Sequence, residues 1–172
     1  MRYIETDRLV LRDWTEDDLE AFKDMNKDPK VMEYFPSTLT EQETEKFYRR
    51  IQDELAIEGY GLFAVETKQD RAFVGYIGLH EATFEADFTP CVEVGFRLRK
   101  EAWDYGYATE GAKACIDYGH ELGIENIYSF TAAVNERSRR VMEKAGMQFV
   151  KQFDHPALEE GHHLRRHVLY RG

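Results

Sequence analysis

At Gly59 the hydrophobic pattern of this chain changes its period, and that change narrows the folds open to it. Upstream, "TEQETEKFYRRIQDELAIEGYG" sets Phe47, Ile51 and Leu55 four residues apart on one helical face. Thr40 and Glu43 form a capping box at its start, and Gly59 ends the helix. Downstream, apolar residues recur at every second position. "GLFAVET" and "AFVGYIGLHEATF" read as strands joined by the polar turn "KQDR". In "CVEVGFRLRK", Val92, Val94, Phe96 and Leu98 share one face. Early helices followed by a run of strands predict an antiparallel sheet, not an array of strand-helix repeats.

The flanking segments extend this pattern. "RLVLRDW" (residues 8–14) alternates as a half-buried strand does. In "TEDDLEAFKDMN", Thr15 is an N-cap with Asp18 three residues on, followed by Leu19, Phe22 and Met25. Past the three strands the spacing predicts a helix over residues 107–122, stopped by Gly123. "NIYSFTAAV" is a further strand, "NERSRRVMEKAG" a short helix closing at Gly146, and "MQFVKQF" and "LRRHVLYR" two last strands. The expected fold is mixed α/β (α+β): one domain over residues 1–172, its central sheet largely antiparallel, with helices flanking it and one strand-helix-strand crossover in the middle.

A chain of 172 residues with 42% apolar and 33% charged residues is globular in composition. Its formal net charge of −10 argues against a nucleic-acid binder, which shows a basic face. An acidic surface draws in cationic partners instead, amines among them. Apolar runs are short and broken by charges, so no membrane span is expected. The opening "MRYIETDRLVLRDW" has no signal-peptide stretch, which makes the cytoplasm the expected compartment. Cys91 and Cys115 lie far apart without CxxC spacing and read as reduced, buried thiols.

The stretch "WDYGYATEGAKA" (residues 103–114) raises a separate question. A Gly and a small Ala stand two residues apart where an amphipathic helix begins. Helix starts expose backbone N–H groups without helical partners, and the dipole adds partial positive charge; both favour a phosphate. Gly106 permits a tight turn, Ala108 keeps the amides open, and Thr109 offers a hydroxyl. Ala108, Ala112, Cys115 and Gly119 form a row of small side chains suited to close packing on a sheet. Two basic clusters flank this start: Arg97, Arg99 and Lys100 before it, and Arg137, Arg139 and Arg140 beyond the next strand. The spacing alone leaves two readings open, a strand-to-helix turn and a cradle for a pyrophosphate.

The segment "EVGFRLRKEAWDYGYATEGAKACIDYG" resembles motif A of the GNAT N-acetyltransferases, the stretch that binds the pyrophosphate of acetyl-CoA. The order of later features is similar too: strand, "N-E-R-S", helix, "EKAGM". The opening "ETDRLVLRDWTEDD" resembles the RimJ/RimL-like branch, which acetylates the N-termini of ribosomal proteins. The likeness runs from about residue 5 to residue 170 and implies the GNAT fold. It also implies an acetyl-CoA-dependent N-acetyltransferase whose acceptor is a primary amine, either a protein N-terminus or a small molecule. In the family the loop reads R/Q-x-x-G-x-G/A; Trp103 stands at its first position here, which removes a polar side chain but leaves the backbone. The resemblance implies that the amides of Asp104, Tyr105, Gly106, Tyr107, Ala108 and Thr109 hold the pyrophosphate, with Trp103 and Arg137 beside it. It implies that the strand through Val94, Gly95, Phe96, Arg97 and Leu98 binds the pantetheine arm, and that Asn135 touches the same arm. Members of the family are frequently dimers, but no residue of this chain settles its oligomeric state.

Acetyl transfer from a thioester to an amine requires a group to take the amine's proton, donors for the thioester oxygen, and a proton for the departing thiolate. Orientation in a ternary complex supplies much of the rest, and no covalent intermediate is needed. Glu93 is the candidate base, acting through water; the competing reading pairs it with Arg97, four residues on along the strand. Met142 stands where the family often has a tyrosine acid, and Met cannot donate a proton. Ser138, three residues after Asn135, is the candidate donor to the sulfur, or else a hydroxyl that serves the helix start. Backbone N–H groups around Val94 to Phe96 are the expected oxyanion donors. Met142 motivates an alternative, a non-catalytic module that binds or senses acyl-CoA. His155, His162, His163 and His167, with Tyr34 or Phe35, are expected to border the acceptor pocket or else to be surface histidines; no convincing metal spacing completes the cluster.

Overall fold

The computed structural model describes residues 1–172. Eight strands form one sheet: β1 (Arg2–Glu5), β2 (Leu9–Arg12), β3 (Leu62–Thr67), β4 (Phe73–Ala82), β5 (Cys91–Leu98), β6 (Ile127–Ala132), β7 (Gln148–Asp154) and β8 (Arg166–Arg171). Their spatial order is β1-β2-β3-β4-β5-β6-β8-β7. Every neighbouring pair is antiparallel except β5 and β6, which run parallel. The mixed sheet with a single central crossover is thus present as expected. Strand β1 has no counterpart in the sequence pattern, and β8 inserts between β6 and β7, which sequence order alone does not show.

Local chemistry explains the helices. Helix α1 (Glu16–Lys27) starts where Thr15 N–H donates to Asp18 Oδ2 at 2.8 Å. Helix α2 (Glu41–Glu58) carries the reciprocal pair: Glu43 N–H donates to Thr40 Oγ1 at 3.1 Å, and Thr40 N–H to Glu43 Oε1 at 2.9 Å. Gly59 closes it in the left-handed region at φ 76°. Ile51 and Leu55 are buried, and Phe47 packs partly buried against them. No helix is long and apolar enough to cross a membrane.

Helix α3 (Tyr107–Glu121) is the crossover between β5 and β6, and it lies on the sheet face formed by Ile77, Leu79 and Val94. Its small residues make that approach possible. A Cβ at Gly111 would run into Ile77 Cδ1, and one at Gly119 would lie 2.5 Å from Ile127 Cδ1. Cys115 is fully buried in the same seam. Helices α1 and α2 cover the opposite face, where Arg97 of β5 meets Asn26 of α1. Helix α4 (Glu136–Lys144) follows β6.

One irregularity of the sheet matters most. Between β5 and β6 the register pairs are Val92 with Ile127 and Glu93 with Tyr128, and no pair follows. Yet β5 continues to Leu98 and β6 to Ala132. The strands therefore diverge, and the sheet opens at its centre towards the start of α3.

Candidate active site

The chain enters α3 through a loop with two left-handed residues, Asp104 (φ 68°) and Gly106 (φ 82°). Only a short polar residue and a glycine suit such backbone. Arg8 braces the loop from outside: Nη1 donates to Tyr105 O at 2.7 Å, and Nε to Glu110 Oε1 at 2.8 Å. Trp103 is pinned by its indole N–H, which donates to Leu98 O at 2.9 Å, and the Arg137 guanidinium stacks over its ring at 4.4 Å. Arg137 also donates to Asp104 Oδ1 at 2.7 Å.

Within this brace, the backbone N–H groups of residues 104–109 donate to no protein acceptor. The other long helices differ. Helix α2 has Thr40 at its first turn and α4 has Asn135, whereas Gly106 caps α3 with no side chain at all. A row of free amides at a helix start is a site for an anion. Lys100, Arg137, Arg140 and Lys144 border the same opening. Arg99 and Arg139 do not: the first pairs with Glu101, and the second donates to Ala133 O.

The opening continues into the split of the sheet. Alternation turns the backbone of Glu93, Gly95 and Arg97 to β4 and that of Val94, Phe96 and Leu98 to β6. Ser129 donates its hydroxyl to Val94 O at 2.9 Å, and Trp103 occupies Leu98 O. Phe96 is left facing the gap. Across it, Asn135 caps α4: its Oδ1 accepts from Ser138 N–H at 3.2 Å, and its Nδ2 donates to Ser138 Oγ at 3.0 Å and Thr131 Oγ1 at 3.1 Å. Ser138 Oγ thereby accepts a bond while its own hydrogen is donated to no protein atom. Met142 is buried below, so the position offers no acid.

On the face turned to α1 and α2, Glu93 is only 8% exposed and contacts His80, its cross-strand neighbour on β4. Burial alone would suppress the imidazolium, but the Glu93 carboxylate outweighs it and raises the His80 pKa above its usual value. The pairing of Glu93 with Arg97 is corrected: residues four apart on a strand lie about 13 Å apart. Arg97 donates to Asn26 Oδ1 at 2.9 Å instead. His80 is a site residue that the sequence reading missed.

The histidine-rich segment divides. His155 and His167 join an aromatic cluster with Phe84, Phe130 and Phe153, their rings 5.0 Å apart, and both line the cleft. Burial lowers the pKa of both, that of His167 to about 4. His162 and His163 stack on each other at 4.8 Å outside it. No three His, Cys, Asp or Glu side chains are grouped to hold a metal ion. Tyr34 and Phe35 complete the wall.

These parts form one cleft of about 1140 Å³ running from the α3 start through the sheet opening to Glu93 and the aromatic wall. Of the catalytic and cofactor-binding residues expected from the sequence, all but Tyr105 line it, while His162 and His163, expected at the acceptor pocket, do not. Tyr105 is 60% exposed and stacks on Tyr107.

Comparison with known proteins gives the arrangement a family. The acetyltransferase (GNAT) domain profile matches residues 8–148. Protein YkkB of Bacillus subtilis is 30% identical over 148 residues, covering 85% of each chain. The structure of a GNAT-family acetyltransferase from Bacillus anthracis superimposes with a TM-score of 0.80 at 27% identity, over 100% of this chain and 98% of that one. A ribosomal-protein alanine acetyltransferase of Vibrio fischeri shares the fold, with a TM-score of 0.76 at 14% identity over 100% and 96% of the two chains. The matched domain, the shared fold and the opened sheet together make this chain a member of the GNAT family, an N-acetyltransferase.

Proposed function

We propose that residues 1–172 act as one domain that transfers the acetyl group of acetyl-CoA to a primary amine by direct attack in a ternary complex. The observation that carries this reading is the run of free amides at residues 104–109, in line with the parting of β5 from β6. The residues suit the carrier. Diphosphate charge matches the α3 start and its rim of Lys100, Arg137, Arg140 and Lys144. An amide-bearing arm matches Phe96, whose backbone faces a gap instead of a strand. Bound acetyl-CoA supplies an acyl group already activated as a thioester.

The chain's own residues do the rest. The buried Glu93 carboxylate takes the amine's proton through water, and His80 beside it shares the charge. Backbone N–H groups around Val94 to Phe96 face the developing negative charge on the acyl oxygen. Ser138 holds its Oγ by the bond from Asn135 and donates its uncommitted hydrogen to the departing sulfur. The walls of the cleft orient amine and acyl group towards each other. The alternative, a non-catalytic acyl-CoA-binding module, draws no support from the family match.

Calorimetry with acetyl-CoA, followed by a thiol assay for released CoA over a panel of amines and peptides, tests this. Uptake should be tight and confined to the cleft, with turnover on a subset of amines. Glu93→Gln should lower turnover about 100-fold or more, and Ser138→Ala by a smaller factor, while acetyl-CoA affinity stays within a few-fold. Absence of uptake, or variants that lose affinity and turnover together, would refute it.

A further inference from the structure

Arg97 and Tyr76 together carry donors that no protein acceptor fills: Nε and Nη2 of the guanidinium and the Tyr76 hydroxyl. They are cross-strand neighbours on β5 and β4, on the face that carries Glu93 and His80. Arg97 makes no salt bridge in a chain with 33 acidic residues. Its Nη1 is held by Asn26, itself fully buried and bonded to Thr44 at 3.3 Å, so the guanidinium is fixed in place. Aromatic rings enclose it: Phe35 at 4.5 Å, Tyr76 at 5.3 Å and Phe47 at 5.9 Å. Its Nε is buried without a partner, and its Nη2 has none either but is not sealed off. Tyr76 is 7% exposed, and its hydroxyl is likewise unpartnered and open to the cleft. Burial raises its pKa, so it remains a donor.

An arginine confined among aromatic rings without a counter-ion is costly unless an anion completes it. Its planar fork matches a carboxylate better than any neutral group, and a neighbouring hydroxyl adds a second direction of approach. Gly95 lies between Glu93 and Arg97 on the same face; nothing comes within 3.7 Å of where its Cβ would stand. The floor from the base to the guanidinium therefore carries no side chain of its own at Gly95 and is bordered by the His80 ring and Leu62, 3.7 to 3.8 Å from that point.

We propose that the acceptor is an amino carboxylate, its amine at Glu93 and its carboxylate received by Arg97 and the Tyr76 hydroxyl across Gly95. This rests on the acetyl-transfer reading and names its substrate class.

Two arms test it separately. In the first, CoA release is measured with glycine, 4-aminobutyrate and 6-aminohexanoate, each against its carboxamide. At least one acid should exceed its amide at least tenfold in kcat/KM. Arg97→Met should bring that ratio to within about threefold of unity, Arg97→Lys should retain part of it, and Tyr76→Phe should lower it. Acid and amide used equally, or a ratio untouched by Arg97→Met, overturns the proposal. The second arm needs no turnover. In protein labelled with 15N-arginine, the Arg97 side-chain resonance should shift with acetate and stay still with acetamide. Silence towards acetate overturns the anion site. A shift with acetate in protein that takes up no acetyl-CoA would instead overturn acetyl transfer and leave the anion site standing.

Discussion

Thr109→Asp should move stability and cofactor affinity in opposite directions. Thr109 is the third residue of α3, half-buried, and its hydroxyl is bonded to nothing in the protein. Helix α1 already shows what a carboxylate does at that position: Asp18, its third residue, accepts from the N–H of the capping Thr15 at 2.8 Å. The introduced carboxylate would accept in the same way from Gly106 N–H, one of the free amides, and complement the helix dipole. That interaction contributes about 0.3–1 kcal/mol, or roughly 1–4 °C in Tm for a chain of this size. The same charge would stand about 5 Å from a diphosphate held at residues 104–109. At an effective dielectric of about 20 to 40, one such pair of charges repels by about 2–3 kcal/mol, so Kd should rise roughly 30- to 150-fold. Calorimetry with acetyl-CoA reads the affinity and thermal denaturation of the free protein reads the stability. Thr109→Asn, neutral and similar in size, should bind within about threefold of the parent, and the penalty of the charged variant should shrink as salt screens it. A variant that is more stable and binds acetyl-CoA unchanged would show that these amides do not hold the diphosphate. A less stable one would show that the dipole at this helix start is already satisfied.

Protonation gives two opposed slopes. Burial pushes His167 down to about 4, so the unfolded chain takes up its proton first, near pH 6.5, and stability should fall as pH drops from there towards 4. His167→Gln should flatten that part of a urea-midpoint series, and equal slopes in both proteins would refute the assignment. His80 runs the other way: its pKa is raised, so the stability from its pairing with Glu93 is complete below about pH 6.5 and is lost as pH climbs through the folded-state value; His80→Gln should remove that loss. Gly78→Ala should be among the most damaging small substitutions, because its Cβ would meet the Gly61 carbonyl and lie 2.7 Å from Leu62 Cα. Parting β3 from β4 endangers the bond from Leu79 N–H to Gly61 O at 2.9 Å. Overpacking and the lost bond together cost about 2–4 kcal/mol, or a fall of about 4–16 °C in Tm; an unchanged melting temperature would refute the contact.

What could be read from the residues and what could not divide along one physical line, the reach of the interaction that decides each feature. Capping at Thr15 and Thr40 is settled within three residues, and so is the tight turn at Gly106; each stands in the structure where the sequence puts it, whereas the cap that Asn135 provides reads in the sequence only as a contact to the cofactor arm. The start of α3 was legible for that reason. Strand β1 escaped because its four residues are held by pairing with β2, not by a pattern of their own. The place of β8 between β6 and β7 is a choice among strand pairings that no local spacing encodes.

The acceptor side depends on register throughout. Glu93 meets His80 and Arg97 meets Tyr76 because the β4–β5 ladder aligns residues separated by a long loop, and a slip of β5 by one position would turn Glu93 and Arg97 to the other face. Sequence spacing offered Arg97 as the partner of Glu93 because both lie on one face of the strand, yet four residues along a strand span about 13 Å. The consequence reaches the chemistry. On the proposed reading, a carboxylate tied to an imidazole and an arginine left without an anion are different instruments, one for moving a proton and the other for recognising charge. Their separation across Gly95 would then let a single strand serve both.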